Sequence, residues 1–214
     1  KIRGRIVAAP IAGGFDGPIY PVNPAHQEIQ GLRAYPSIAA IGASVDLALI
    51  AIPAERVAGA LKECADAGVK GAVILSSGFA ESGAAAVALQ EHIGDIAKAH
   101  GIAVCGPNSV GLLNRDAQLN ATFSPGANVV GAPRAAQGPG KSVAVISQSG
   151  GLGFAVYNRG RRRGIAFSHV VSTGNEAHLG ALDFVDFLLP DAEIGAFIIL
   201  VEQVRSASRL LEVA

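Results

Sequence analysis

Short runs of β-branched and aliphatic residues alternate along the chain with stretches whose apolar positions recur at helical spacing. The run "DLALIAIP" (46–53) predicts a strand buried on both faces, and "AERVAGALKECADAG" after it predicts an amphipathic helix. "KGAVILSS" (70–77) predicts the next strand. "GAAAVALQEHIGDIAKAH" follows as a helix with Ser82 as its N-cap and Gly101 as its stop, and "IAVC" (102–105) is the strand after it. Upstream, "GPIYPVNP" (17–24) predicts a short strand. The pattern restarts with strand "SVAVIS" (142–147), a helix from Gly150 to about Arg163, strand "IAFSHVVS" (165–172) and a helix over 179–189. Strand "AFIILVE" (196–202) comes next, then a helix beginning near Ser206. Strands alternating with helices imply right-handed βαβ units and parallel sheets, so the predicted class is α/β.

One stretch breaks the alternation. Residues 115–140 contain "NATFSPGANVVGAPRAAQGPG", rich in Gly, Pro and Ala and without helical periodicity. Its end, 133–141, reads as a linker. It divides the chain into a first domain, 1–132, and a second, 141–214, which share a topology without an internal sequence repeat.

Composition narrows the classes open to such a fold. Half of the 214 residues are hydrophobic and only 5% aromatic, which suits Ala-rich helices packed closely on buried parallel strands. The net charge is zero, so nothing general favours nucleic-acid binding. No apolar run reaches the ~18 residues of a membrane span, and no signal peptide is visible. Two cysteines, Cys64 and Cys105, lack metal-ligand spacing and read as core thiols in a reducing compartment. The expectation is a cytoplasmic protein that binds neither nucleic acid nor membrane. The chain opens on Lys1 and contains no Met, as expected of a piece of a longer chain.

In open parallel sheets, ligands sit beyond the carboxyl ends of the strands. Here those ends are Val22-Asn23-Pro24, Ile52-Pro53-Ala54, Ser76-Ser77-Gly78-Phe79, Gly106-Pro107-Asn108-Ser109, Ser147-Gln148-Ser149-Gly150-Gly151, Ser172-Thr173-Gly174-Asn175 and Glu202. Nearly all are small or hydroxyl-bearing, which suits a long polar ligand held by backbone amides. They offer neither a metal site nor a Ser-His-Asp triad. "SQSGGLG" follows a strand and opens a helix, where free N–H groups and the helix dipole favour phosphate or carboxylate. A Ser cap with glycines for tight packing is the alternative. No Gly-Lys-Ser/Thr follows, so it is not a Walker loop, and a nicotinamide fingerprint fits poorly. Glu202 ends a strongly apolar strand, where a carboxylate is costly unless paired or at a site; Arg205 is a candidate partner. "RGRRR" (159–163) complements a helix C-terminus and faces solvent. Of five scattered histidines, His26 follows a strand-end loop and could meet a phosphate.

The motifs "GPIYPVNP", "DLALIAIPAE", "GAVILSSGFAE", "GPNSVGLLN", "LNATFSP", "VAVISQSGGLG", "STGNEA" and "VEQVR" occur in this order over nearly the whole chain. Together they resemble the NDP-forming acyl-CoA synthetases: the ADP-forming acetyl-CoA synthetase α part, related to the succinyl-CoA synthetase α subunit. The resemblance implies a Rossmann-like CoA-binding domain, its first strand missing before Lys1, followed by an incomplete flavodoxin-like domain. It also implies an acid-thiol ligase that joins CoA to a small carboxylic acid through acyl phosphate and phosphohistidine intermediates. ATP or ADP with Mg2+ would be bound by a β-type nucleotide-grasp part, fused or separate, in an oligomer. Carried over by position, Val22, Asn23, Pro24 and His26 would border the CoA nucleotide. Ile52, Pro53, Ala54, Ser76, Ser77, Gly78 and Phe79 would line the CoA path. Asn108 and Ser109 would lie near the thiol, Ser147, Ser149, Gly150 and Gly151 would cradle the phosphoryl group, and Glu202 would orient the phosphorylated histidine. None of the five histidines matches that histidine, and no metal site is expected here. The competing reading is a CoA- or acyl-CoA-sensing module without ligase activity, such as the regulatory part of a protein acetyltransferase.

Overall fold

A computed structural model describes residues 2–127, 140–204 and 207–213 of the chain. Its first element, helix α1 (Ile2–Gly13), has no counterpart in the predicted pattern. The reason is visible in its sequence: apolar residues lie all round it and Pro10 interrupts it, so no amphipathic stripe marks it. A short antiparallel hairpin of β1 (Glu28–Ile29) and β2 (Leu32–Arg33) follows. Its turn residues Gln30 and Gly31 both have positive φ, 55° and 77°, as a two-residue hairpin requires.

The first sheet is parallel and ordered β3-β4-β5: β3 (Leu47–Ile50), β4 (Gly71–Ile74) and β5 (Ala103–Cys105). Helices α2 (Ala54–Asp66) and α3 (Val87–His100) connect them. The second sheet contains β6 (Gly111–Asn114), β7 (Leu119–Thr122), β8 (Ser142–Ser147), β9 (Phe167–Ser172) and β10 (Ile194–Leu200), in the order β10-β8-β9-β6-β7. Helices α4 (Gly150–Arg161), α5 (Ala181–Leu188) and α6 (Ala207–Val213) complete it. The pairs β10–β8 and β8–β9 are parallel, as expected.

Strand periodicity sorts the core. On one face of the first sheet, Ile50, Ala72, Ile74 and Val104 pack with Val57, Leu61, Ile93 and Ala97 of α2 and α3. The alternate residues Val73, Leu75 and Cys105 share a second cluster with Ala144, Ile146 and Val171 of the second sheet and with Ala181, Val185 and Leu188 of α5. The two sheets therefore meet through a common apolar layer. Helix α4 covers the other side, where Phe154 and Tyr157 pack on Val145, Phe167, Val170 and Leu113.

Several predicted elements change. The segment "GPIYPVNP" forms only one isolated bridge, Val22 to Tyr35, rather than a strand. Prolines 18, 21 and 24 remove the donors a ladder would need. Ser82 does not cap a helix: it ends a 3-10 turn (Ala80–Ser82), Gly83 turns the chain with φ 119°, and α3 begins only at Val87. Gly101 does stop α3 in the left-handed conformation.

The largest difference is the hairpin over 111–122. It comes from residues read as turn chemistry and irregular chain, yet β6 pairs antiparallel with β9 and extends the second sheet. Its turn is closed by Asn114, whose Oδ1 accepts from the N–H groups of Asp116 and Ala117 at 3.0 and 3.1 Å. Of the predicted linker, residues 133–139 lie outside the described residues.

Candidate functional site

The loop after β5 is drawn across the end of β4. The N–H of Asn108 donates to Ser76 O at 2.8 Å, and that of Ser109 to Ile74 O at 3.3 Å. Gly106 makes this approach possible, because a Cβ there would stand 2.5 Å from Ile74 O. The Ser109 side chain is 1% exposed; its hydroxyl donates to Ser172 O at 2.6 Å and accepts from the Gly111 N–H at 2.8 Å. It joins the two sheets as a buried pin. Cys105 lies against the same carbonyl, its sulfur 3.3 Å from Ser172 O, and burial pushes its thiol up to about 12. This is the core thiol the sequence predicts.

The loop after β9 lies along the free edge of β5. Asn175, Ala177 and Leu179 donate in turn to the carbonyls of Pro107, Gly106 and Val104 at 2.9, 2.9 and 3.0 Å. The Val104 N–H donates to His178 Nδ1 at 3.2 Å, so this ring nitrogen is unprotonated. Burial lowers the His178 pKa, Lys98 lowers it further and Asp183 opposes. Glu176, 3% exposed, accepts from the Thr173 hydroxyl and the Ala181 N–H at 2.8 and 2.9 Å, fixing the start of α5.

At the mouth of this seam four polar side chains converge. Asn108 Nδ2 donates to Asn175 Oδ1 at 3.3 Å, and Asn175 Nδ2 donates to Glu81 Oε2 and, at 2.8 Å, to Gln90 Oε1. Glu81 Oε1 accepts from the N–H groups of Gly78 and Phe79 at 2.6 and 3.2 Å. Burial works to raise the Glu81 pKa, but the hydrogen bonds from Asn175, Gly78 and Phe79 outweigh it and hold the carboxyl below its ordinary value. The predicted residues Ile52, Ala54, Ser76 and Gly78 adjoin this cluster. Ser76 Oγ donates to Ile52 O at 2.6 Å and accepts from its N–H at 3.1 Å. Gly78, at φ 102°, approaches Ala54, which opens α2 behind Pro53. Ser77 is exposed, whereas the Phe79 ring is fully buried in the core and presents only its backbone.

The second cluster lies at the start of α4. Ser147 is fully buried and its hydroxyl donates to Ser149 O at 2.6 Å. The first bond into the helix runs from Gly153 N–H to Ser149 O, which leaves the N–H groups of Gly150, Gly151 and Leu152 without a backbone acceptor among the described residues. A Cβ on Gly151 would meet open space; one on Gly150 would collide with Val110 and stand 2.8 Å from Ser172 Oγ. Gly150 thus packs the helix start onto the Asn108 loop, while Gly151 leaves its approach clear. Glu202, exposed and two residues beyond β10, lies against Gln148, whose Oε1 accepts from its N–H at 2.7 Å. Arg205, its predicted partner, lies outside the described residues.

Sequence reasoning thus placed the right loops and named Gln148 and Asn175 only as strand-end positions, but gave no place to Glu81, Gln90 or Glu176, which help organise them. Glu81, Gln148, Asn175 and Glu176 stand inside the motifs quoted above; polarity between glycines was the signal for Glu81, Asn175 and Glu176, and the strand end was that for Gln148, whereas Gln90, within α3, carried none. The remaining predicted group, Val22, Asn23, Pro24 and His26, lies on a loop tied by backbone bonds to Tyr35, and His26 is exposed with no hydrogen bond or ion pair among the described residues. Of the run predicted to face solvent, Arg159, Arg162 and Arg163 are exposed about the end of α4, whereas Arg161 is half-buried, donating to Asn158 Oδ1 at 3.1 Å and lying over the Tyr157 ring. Among the described residues no group of three His, Cys, Asp or Glu could hold a metal, and no helix is long and apolar enough to cross a membrane.

This arrangement can be set against known proteins. Residues 4–115, just over half of the chain, match the family described as CoA binding domain. The chain belongs to that family. Residues 139–214 match the succinyl-CoA ligase like flavodoxin domain. The chain is 38% identical over 200 residues to acetate–CoA ligase [ADP-forming] I of Archaeoglobus fulgidus, covering 94% of itself and 28% of that protein. It is 36% identical to acetate–CoA ligase [ADP-forming] I subunit alpha of Pyrococcus furiosus, covering all of itself and 45% of that subunit. Its fold superposes with a TM-score of 0.88 on the dinucleotide forming acetyl-coenzyme A synthetase 1 of Ca. Korarchaeum cryptofilum in complex with phosphate and ADP, at 36% identity, over all of this chain and 44% of that one. The resemblance to the ADP-forming acetyl-CoA synthetase α part is borne out; the chain spans less than half the length of these relatives.

Proposed function

We propose that the chain is the CoA-binding, α-type portion of an NDP-forming acyl-CoA synthetase, an acid-thiol ligase joining CoA to a small carboxylic acid. One observation carries the reading: the Asn108–Asn175–Glu81 cluster and the open N-terminus of α4 are two polar sites linked by the same pair of loops. Val110 N–H donates to Ser172 Oγ at 3.0 Å and Gly150 packs on both residues, so the loop that carries Asn108 abuts the first turn of α4.

In this reading residues 1–132 bind CoA and 141–214 handle the phosphoryl group, the first portion lending its 111–122 hairpin to the second sheet. The exposed Val22, Pro24 and His26 border the nucleotide end of CoA, with Asn23. The small residues Pro53, Ala54, Ser77 and Gly78 let its chain pass close to the backbone, positioned by Ile52, Ser76 and the Phe79 N–H. Asn108 meets the thiol end, with Ser109 anchoring its loop from below. The N–H groups of Gly150, Gly151 and Leu152, behind Ser147 and Ser149, stabilise phosphoryl charge as it moves, an electrostatic preorganisation that needs no rearrangement. Glu202 accepts a hydrogen bond from the imidazole that carries the phosphoryl group, and this histidine comes from outside the described residues. ATP or ADP with Mg2+ belongs to a β-type part in the same assembly, and that assembly works in the cytoplasm, where two buried free thiols stay reduced. The relatives reported are ligases, which does not favour the sensor reading.

The test uses the full-length protein that contains this chain. CoA should raise its thermal midpoint with concentration, and CoA should be consumed when an acid and ATP or GTP are supplied together. No shift at millimolar CoA, or consumption independent of nucleotide, would overturn the proposal.

A further inference from the structure

The residue that decides where Glu202 stands is Gln148. Its own N–H makes the last backbone bond between β8 and β10, to Leu200 O at 2.9 Å. Beyond that bond the chain leaves the ladder, and the hydrogen bonds that the backbone at 202 and 203 makes among the described residues come from the Gln148 side chain. Oε1 accepts from the N–H groups of Glu202 and Gln203 at 2.7 and 2.9 Å, and Nε2 donates to Gln203 O at 3.0 Å. One carboxamide therefore closes three hydrogen bonds across the gap between the start of α4 and the loop after β10.

We infer that Gln148 is a positioning residue for the phosphoryl step, acting through Glu202; this rests on the function proposed above. The chemistry needs an amide. A carboxylate could accept from both N–H groups but could not donate to Gln203 O, and would add a second negative charge beside Glu202 and the phosphoryl site. Alanine would leave the backbone at 202–203 to water. Asparagine is one methylene shorter and cannot span the same gap without moving a loop. Because Glu202 and Gln203 are exposed, their freed N–H groups would be hydrated rather than buried, so loss of the clamp should move the carboxylate without unfolding the domain.

The experiment compares Gln148→Ala, Gln148→Glu, Glu202→Gln and the double variant Gln148→Ala/Glu202→Gln in the full-length protein. Misplacing a group by about 1 Å commonly costs roughly a hundredfold in rate, so Gln148→Ala should lower kcat by about ten- to a hundredfold. KM for CoA and for the acid, and the thermal midpoint, should stay where they are. Gln148→Glu should be worse than Gln148→Ala. The double variant should be no slower than Glu202→Gln alone, because a clamp has nothing left to position. Unchanged kcat in Gln148→Ala, a loss carried in KM for CoA, or losses that multiply in the double variant would overturn the inference. Failure of the proposed function shows separately, as a wild-type protein without acid- and nucleotide-dependent CoA consumption. Should Gln148→Ala not fold, Gln148→Met, which keeps the length of the side chain without its hydrogen-bonding groups or any charge, supplies the same comparison.

Discussion

Asn108 and Asn175, 67 positions apart in sequence, are joined side chain to side chain across the seam between the two sheets. The bond is long at 3.3 Å, but Asn175 is held from the other side by Glu81 and Gln90. Asn108 itself sits at φ 57°, a conformation asparagine tolerates better than most residues. The amide at the proposed thiol end of CoA is thus aimed by the opposite half of the molecule.

Replacing either amide separates aim from affinity. Asn108→Ala should reduce acyl transfer to CoA by about tenfold or more, as expected when a positioned group is lost, while CoA still raises the thermal midpoint. Asn175→Ala should give a smaller loss of the same kind, since Asn108 remains but is no longer oriented. Steady-state turnover beside a CoA melting titration makes the comparison; equal turnover in wild type and Asn108→Ala would return this loop to a mere connection.

Glu81 gives the cluster its acid limit. Its folded pKa lies below its ordinary value of 4.5, so the unfolded chain takes up the proton first as pH falls. The stabilisation from its hydrogen bonds is therefore fully present above about pH 4.5 and is lost as pH falls through the folded value. Glu81→Gln keeps an acceptor but no charge and should flatten this part of the pH profile of the thermal midpoint. A profile identical to wild type below pH 4.5 would show that the carboxylate does not hold the seam.

His178 acts in a different window. Its Nδ1 accepts from Val104, so protonation there removes the acceptor, and its folded pKa is below the ordinary 6.5. Stability is full above about 6.5 and declines as pH falls toward the folded value, because the unfolded chain binds the proton first. His178→Ala should lower the midpoint at neutral pH and remove this slope. Melting curves across the window, with Lys98 and Asp183 left intact as the charges facing the ring, measure it.

How much of this was legible depended on whether a residue's role was local. Strands β3, β4, β8 and β9 showed as β-branched runs because each is flanked by its own helix. The β6–β7 hairpin did not show, because Gly111-Leu112-Leu113-Asn114 looks like the tail of a turn until β9, over fifty residues later, supplies its partner. The apolar run in "GPIYPVNP" predicts a short strand, but prolines 18, 21 and 24 withhold the donors a ladder needs, and only the bridge from Val22 to Tyr35 forms. The site followed the same rule. Loops at strand ends could be found from topology, whereas Glu81 pairing with Asn175 depends on how the second half folds back on the first. Ser109 was placed near the thiol by resemblance, and only the fold shows its hydroxyl already engaged by Ser172 and Gly111.

The contact between Gly150 and Val110 yields the sharpest mechanical test. A Cβ on Gly150 would overlap the Val110 side chain, standing 2.6 Å from its Cβ, and would press on Ser172 Oγ at 2.8 Å. Val110 is β-branched and cannot swing aside freely, and Ser172 Oγ holds the Val110 N–H. Gly150→Ala is otherwise mild, since alanine favours helices. The clash should dominate, destabilising the protein by about 1–3 kcal/mol, as overpacking commonly does. Val110→Ala removes the obstructing methyls, so the double variant Gly150→Ala/Val110→Ala should recover part of the loss. If Gly150→Ala instead melts at or above the wild-type midpoint, the helix start does not press on the Asn108 loop, and the link between the two polar clusters fails. If it is destabilised and Val110→Ala restores it, the loop that aims Asn108 and the helix proposed to receive the phosphoryl group pack as one unit.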